Sequence, residues 1–424
     1  VINVLAGLFL WHPYPITFEG NTCSHQCAYC YANARCNNRA SGIKQAVKIL
    51  KGDSNSKSLE NLLYKSGYPI VMSNRTDPFS ENNYTETRVL AQIVAEKENG
   101  VYVQTKLGRE EYVDEFLDII ANKRNVMFYI SVSTQNDDVA KIVEPGAPPP
   151  SERKRIAKKI AKKGYQVTIA FNPLVEEWAS REDVLRECVE YKAAGINHFF
   201  FQKLHLSKGD ISGMPENAIT ALKESGIDMG KYTGKASRDR KLFVQYTAEL
   251  AMLNGHHVML DGMPFRTGYY DSVPEIYNGK YFPTHYHFAN WACENKKPGE
   301  VITREEYIQS MEPPIRDIID APFKGIDKYI LRTARQVWYG NMKVQSIKTY
   351  RELLGLIYDD KRINPSPRNS ILFTENEKKE LVFRGEFLPG MSSPEAVAER
   401  DVMGGNIEAL EKYLHKSLSE RRKV

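Results

Sequence analysis

From Pro15 to Leu260, short apolar runs alternate with longer stretches whose apolar positions recur every three or four residues. The short runs predict strands at Pro15–Glu19, Ile70–Ser73, Val101–Lys106, Met127–Ser133, Gln166–Phe171, His198–Lys203 and His257–Leu260. The periodic stretches predict helices near residues 41–51, 83–97, 110–122, 151–163, 180–193 and 238–254. Strands and helices alternating in this way build a parallel sheet, here a full or partial barrel. Chemistry in such barrels sits at the C-terminal ends of the strands.

The pattern changes after Asp261. Residues 262–300 are aromatic and irregular, with Tyr269, Tyr270, Tyr277, Tyr281, Phe282, Tyr286, Phe288 and Trp291. From 301 onward the pattern predicts short helices joined by Pro-containing turns, with a terminal amphipathic helix at Asn406–Arg422. The expected organisation is a core over residues 1–260, with its chemistry in a loop at 23–30, and an extension over 261–424 that binds or caps the substrate.

Composition excludes several classes. With 42% apolar and 26% charged residues, the chain is neither disordered nor unusual for a globular protein. Six Cys in 424 residues are too sparse for a disulfide scaffold. No run approaches the roughly 18 apolar residues of a membrane span, and the apolar opening Val1–Leu10 lacks the basic leader of a signal peptide. The net charge of +5 is compatible with nucleic acid without requiring it.

Four of the six Cys fall together, at Cys23, Cys27, Cys30 and Cys36. Cys23-Ser24-His25-Gln26-Cys27-Ala28-Tyr29-Cys30 has the spacing Cys-x3-Cys-x2-Cys. Three thiolates this close can serve one metal centre from a single loop. A zinc site usually takes four ligands from two separated pairs, so His25 or Cys36 would have to complete a one-loop set. A four-iron cluster with three thiolate ligands and one open iron suits the spacing better. Cys36 reads as a small residue on the following helix, and Cys188 as core.

The motif resembles that of the radical S-adenosylmethionine (SAM) superfamily. The resemblance implies an enzyme in which Cys23, Cys27 and Cys30 hold a [4Fe–4S] cluster and SAM chelates the fourth iron. It also implies a partial (β/α)6 TIM-type barrel, which the first six strands supply, with a mixed, mainly helical C-terminal extension. A reducing cytoplasm follows, as does an electron donor such as flavodoxin or ferredoxin. Within the superfamily, Cys27-Ala28-Tyr29-Cys30-Tyr31, Val103-Gln104-Thr105-Lys106 and Glu144–Arg153 resemble segments of the spore photoproduct lyase group. That resemblance implies that Lys106 neutralises the SAM carboxylate, that Ser73 and Ser131 offer SAM-binding hydroxyls, and that Tyr29 and Tyr31 relay the radical. It covers roughly residues 15–205 and adds Arg153, in the third segment, to the cofactor-binding set. The group's hydrogen-returning Cys aligns with Val71, and no Cys lies between Cys36 and Cys188. Cys293 is then the one thiol in a segment expected to face substrate.

The residues themselves leave alternatives open. Lys106 at a strand end suits an anionic carboxylate or is an idle rim residue. Ser131 and Ser133 alternate along a strand and so share a face, inward or outward. Ser73-Asn74-Arg75-Thr76-Asp77-Pro78 is a binding loop or a plain connection, and Asn172-Pro173 is read in the same way. Tyr29 and Tyr31 relay a radical or pack over the cluster. Arg155, Lys158, Lys159, Lys162 and Lys163 form a solvated helix face or a phosphate-contacting one. Basic and aromatic residues between Pro313 and Leu354 suit base stacking or ordinary capping. His285, His287 and Cys293 are a weak metal set. The favoured substrate is a pyrimidine-like base in nucleic acid, DNA before RNA. The rivals are a peptide or small metabolite, or a nucleic-acid-binding protein with a structural cluster.

Overall fold

The computed structural model describes residues 16–18, 22–30, 47–48, 51, 61, 64–65, 67, 70–72, 76–204, 206, 208–233, 247, 251, 257–260, 285–313, 316–322, 348–360, 366–369 and 373–385. The chain divides into two compact units, the first holding the described residues up to 260 and the second those from 285 on.

The first unit is built on a seven-stranded parallel sheet, with strands in chain order. These are β1 (Ile16–Phe18), β2 (Ile70–Met72), β3 (Val101–Thr105), β4 (Val126–Ser131), β5 (Gln166–Leu174), β6 (His198–Lys203) and β7 (His257–Leu260). Register runs without slip from Ile16 opposite Ile70 to Thr105 opposite Ile130. All of β2 and β4 is buried, as expected of strands covered on both faces. Among the described residues β1 and β7 are the sheet's edges, so the barrel is partial, with the expected strand at 257–260 added to the six of the barrel.

Helices fill the connections: α1 (Tyr84–Ala95), α2 (Glu110–Ile119), α3 (Asp137–Val143), α4 (Pro150–Lys162), α5 (Arg181–Ala193), α6 (Lys208–Gly213) and α7 (Glu216–Glu224). In α1 the buried Tyr84, Thr87, Leu90, Ala91 and Val94 form one stripe. Ser180 and Asp183 close a capping box at the start of α5.

Helices α3, α6 and α7 and the length of β5 differ from the sequence reading, and two of these differences have local causes. Strand β5 runs past Asn172-Pro173 to Leu174, where its register to β6 shifts. A proline lacks the ladder donor, and a bulge is where a strand tolerates one. Helix α3 was not expected because its seven residues are too few to show a period. Its signal is Asn136, whose side chain accepts from the amides of Asp138 and Val139.

Part of the basic face of α4 is already paired with acids. Arg155 pairs with Glu110 at 2.6 Å, and Lys159 with Glu110 and Asp114 at 2.9 and 2.6 Å. Lys154 reaches Glu187 and Glu190 at 2.9 and 2.5 Å. Opposite charges on α2 and α5 thus bind the helix layer together.

The second unit contains α8 (His285–Asn295), β8 (Val301–Ile302), α9 (Arg304–Met311), α10 (Tyr350–Asp359), β9 (Phe373–Glu375) and β10 (Leu381–Phe383). Its three strands form an antiparallel sheet with β10 in the middle. Thr303–Glu306 and Thr349–Glu352 are capping boxes. Phe288 packs on Tyr307 and Phe373, and Tyr307 on Tyr358, so part of the aromatic content of this region makes a core. Arg351 pairs with Asp320, and Tyr350 is buried. Tyr329, Trp338 and Tyr339 of the 313–354 stretch lie outside the described residues. No described helix is long and apolar enough to cross a membrane. The helices expected near 41–51 and 238–254 fall largely, and Asn406–Arg422 entirely, outside the described residues.

Candidate active site

The loop 22–30 follows β1 and carries all three motif thiols free of disulfides, Cys27 buried and Cys23 and Cys30 half-buried. Two brackets hold it. On one side the Asn82 amide donates to the Thr22 carbonyl at 3.1 Å, and His25 Nδ1 lies 3.4 Å from Asp77 Oδ2. On the other side Ala28 N–H donates to the Val143 carbonyl at 2.8 Å, and Gly146 N–H to the His25 carbonyl at 3.0 Å. A side chain at Gly146 would put its Cβ 2.2 Å from the Ser24 carbonyl oxygen, which is why glycine stands there. Ala28 also joins an apolar cluster with Val143, Val175, Trp178 and Leu204. The brackets come from the connections after β2 and β4, so the loop lies at the C-terminal edge of the parallel sheet.

Asp77 organises the first bracket. Its carboxylate accepts from the Phe79 amide at 2.9 Å, the Thr105 hydroxyl at 2.8 Å and the Lys106 amide at 2.5 Å. Burial opposes its charge, but His25 and these donors hold its carboxyl below the usual range. Burial also opposes charge on His25, yet Asp77 and Cys23 push its pKa up to about 10. Leu107, just past Lys106, is buried with φ at 66°, a conformation rare for a residue with a side chain. Its amide is held by the Thr105 hydroxyl at 2.6 Å.

Glu144 organises the second. It is 1% exposed. One oxygen accepts from the Tyr29 and Ser133 hydroxyls and lies 3.0 Å from Lys106 Nζ; the other accepts from Arg153. Burial opposes ionisation, but Arg153 and Lys106 hold the carboxyl well below its ordinary range. Lys106 Nζ also stands 5.4 Å from the centre of the Tyr29 ring. Burial pushes the Cys27 thiol up, Lys106 pulls it back, and Glu144, Cys30 and Cys23 add to the rise. Cys27 and the Lys106–Glu144 pair therefore share one electrostatic neighbourhood.

The structure brings Cys23, Cys27, Cys30, Tyr29, Lys106 and Ser133 together. Arg153 is fully buried, with Nε donating to the Pro148 carbonyl at 2.7 Å and Nη1 to the Ser131 carbonyl at 3.1 Å, so its contacts are with the protein. The Ser131 side chain is buried beside it. Asn172 donates to the Tyr129 hydroxyl at 3.2 Å. Cys293 lies on α8 in the second unit. Tyr31, Ser73, Asn74 and Cys36, with the side chains of His285 and His287, lie outside the described residues. Sequence reasoning missed Asp77 and Glu144 as hubs. Each does stand in a quoted segment beside a proline, Asp77-Pro78 and Glu144-Pro145.

Among the described residues no three His, Cys, Asp or Glu form a set for a single metal ion. The donor chemistry nonetheless suits an iron–sulfur cluster, since three soft thiols from one loop face no competing carboxylate ligand set and each can bind a separate iron.

The radical SAM superfamily model matches residues 20–188, from just before the first motif Cys into α5. Residues 20–188 are thus similar to the radical SAM superfamily, whose members are enzymes. An uncharacterized protein of Acidianus two-tailed virus is 25% identical over 197 residues, which is 43% of this chain and 64% of the viral protein. The chain thus spans less than two thirds of that relative. Among solved structures, Streptococcus suis SuiB bound to S-adenosylmethionine aligns at 14% identity and a TM-score of 0.40, covering 58% of this chain and 50% of SuiB. Spore photoproduct lyase complexed with dinucleoside spore photoproduct aligns at 15% identity and a TM-score of 0.42, covering 58% and 77%.

Proposed function

We propose that the chain is a radical SAM enzyme whose substrate is a nucleic acid base. The observation that carries the chemistry is one site in which three thiols of a single loop share a strand-end edge with a buried lysine–carboxylate pair. Cys23, Cys27 and Cys30 would hold the cluster, and Lys106 would meet the carboxylate of SAM. When bound, the cluster supplies one electron that splits SAM into methionine and a 5′-deoxyadenosyl radical, which takes hydrogen from substrate. Ser133, Glu144 and Arg153 fix the wall against which Lys106 and Tyr29 are set. Tyr29 packs against Trp178, with ring centres 5.7 Å apart.

The choice of a pyrimidine-like base rests on the resemblance of residues 27–31, 103–106 and 144–153 to the spore photoproduct lyase group. It draws no support from the α4 face, whose Arg155 and Lys159 are paired with acids. The test is anaerobic incubation of the reconstituted chain with SAM, a reductant, and oligonucleotides, peptides or metabolites in separate arms. 5′-Deoxyadenosine is expected, raised by an oligonucleotide in a salt-dependent way. It should be lost in the Cys23→Ala, Cys27→Ala and Cys30→Ala proteins. Stimulation by peptide alone would replace the substrate reading. A cluster-loaded protein that never yields 5′-deoxyadenosine would make the cluster structural.

A further inference from the structure

Lys106 and Glu144 form a charged pair wrapped around the tyrosine that stands between Cys27 and Cys30. Lys106 Nζ lies 5.4 Å from the Tyr29 ring centre and 3.0 Å from Glu144 Oε1, the oxygen to which the Tyr29 hydroxyl donates. The Glu144 side chain is fully buried and the Lys106 side chain 13% exposed. Water therefore screens neither charge effectively. The backbone of this corner is stitched to the thiol loop by Ala28 N–H to Val143 O and Gly146 N–H to His25 O. Neither charge is needed as an iron ligand, yet both are held beside the ligands at the expense of a buried site.

This inference rests on the reading that Cys23, Cys27 and Cys30 hold a cluster. We propose that Glu144 and Lys106 tune the reduction potential of that cluster in opposite directions. A fixed negative charge beside an iron–sulfur centre opposes uptake of an electron and lowers its potential; a fixed positive charge raises it. A cationic Lys106 suits an incoming carboxylate but alone makes the reduced cluster a weaker electron donor. Glu144 offsets that effect without removing the ammonium. Arg153 partly balances Glu144 from its other oxygen, a pair that Lys106→Gln leaves in place and Glu144→Gln removes.

The test is a potentiometric titration, followed by electron paramagnetic resonance, of the full chain reconstituted with iron and sulfide and without SAM. Glu144→Gln should shift the midpoint to a more positive potential and Lys106→Gln to a more negative one, with iron content unchanged in both. A purely structural role does not produce shifts of opposite sign. Lys106→Gln leaves Glu144 paired with Arg153, so its shift stands as a test even if Glu144→Gln fails to fold. A cluster whose potential ignores Lys106→Gln, or moves the same way in both variants, overturns the proposal alone. A wild-type chain that holds no four-iron cluster overturns the functional reading and this proposal together.

Discussion

Lys106 is held twice, its backbone amide by Asp77 and its ammonium by Glu144. Lys106→Ala should therefore weaken SAM binding to the cluster-loaded chain by about 1.5–3 kcal/mol, roughly 10- to 150-fold, the scale of a hydrogen bond to a charged group. Equilibrium binding measures it, and unchanged affinity with an intact cluster would remove Lys106 from the cofactor site. Gly146 offers a second test. Its added Cβ would meet backbone of the thiol loop at 2.2 and 2.8 Å, and backbone gives way poorly. Gly146→Ala should cost about 1–3 kcal/mol in stability and lower the iron bound after reconstitution. Denaturant melts and iron assay report the two losses. The three thiols were legible because their spacing is local. Asp77 and Glu144 were not, because a carboxylate becomes a hub only when the fold gathers donors from distant segments around it.

At the scale of elements, strands β2 to β6 and helices α1, α2, α4 and α5 were legible within a few residues, since each carries a clear period or a cap. Helix α3 and the extension of β5 past Pro173 were not, being respectively too short and locally irregular. The charge on α4 was visible, but its partners were not, because Glu110 and Asp114 lie on another helix. Hydrogen bonds from Arg155 and Lys159 hold Glu110 at about 2, below its ordinary value. A carboxylate depressed on folding stabilises above its unfolded pKa of about 4.3 and loses that contribution as pH falls through about 2. Glu110→Gln should melt below wild type at neutral pH, with the gap closing between about pH 4.3 and 2. Thermal melts by circular dichroism follow it; a gap equally wide at pH 2 would place the effect elsewhere.

For the whole molecule, the superfamily match ends within the first unit, and the second has a core of its own. Its three-stranded sheet escaped the sequence reading because strands of two or three residues show no alternation. The absent thiol has a consequence for chemistry. Val71 is buried in β2, where the lyase resemblance would put a hydrogen-donating Cys. In the proposed reading a substrate radical would then add a group, lose an electron, rearrange, or take hydrogen back through a tyrosine, unless Cys293 serves as the donor. Spore photoproduct DNA, offered anaerobically to wild type and Cys293→Ala, should not be converted cleanly to two thymines by both. Efficient clean conversion by both proteins would end the argument from the missing thiol.

The two brackets on the thiol loop also set an order of assembly. The bond from Tyr29 to Glu144 spans 115 positions of chain, and such distant contacts form late in folding. A nascent chain that has emerged only as far as Ile142 holds the loop through Asp77 and Asn82 alone. Until β4 and the turn after α3 arrive, the sulfurs have half their scaffold. Iron delivery to the proposed site would thus wait until the chain has passed Gly146, and a short peptide copied from the loop would be a poor stand-in for it.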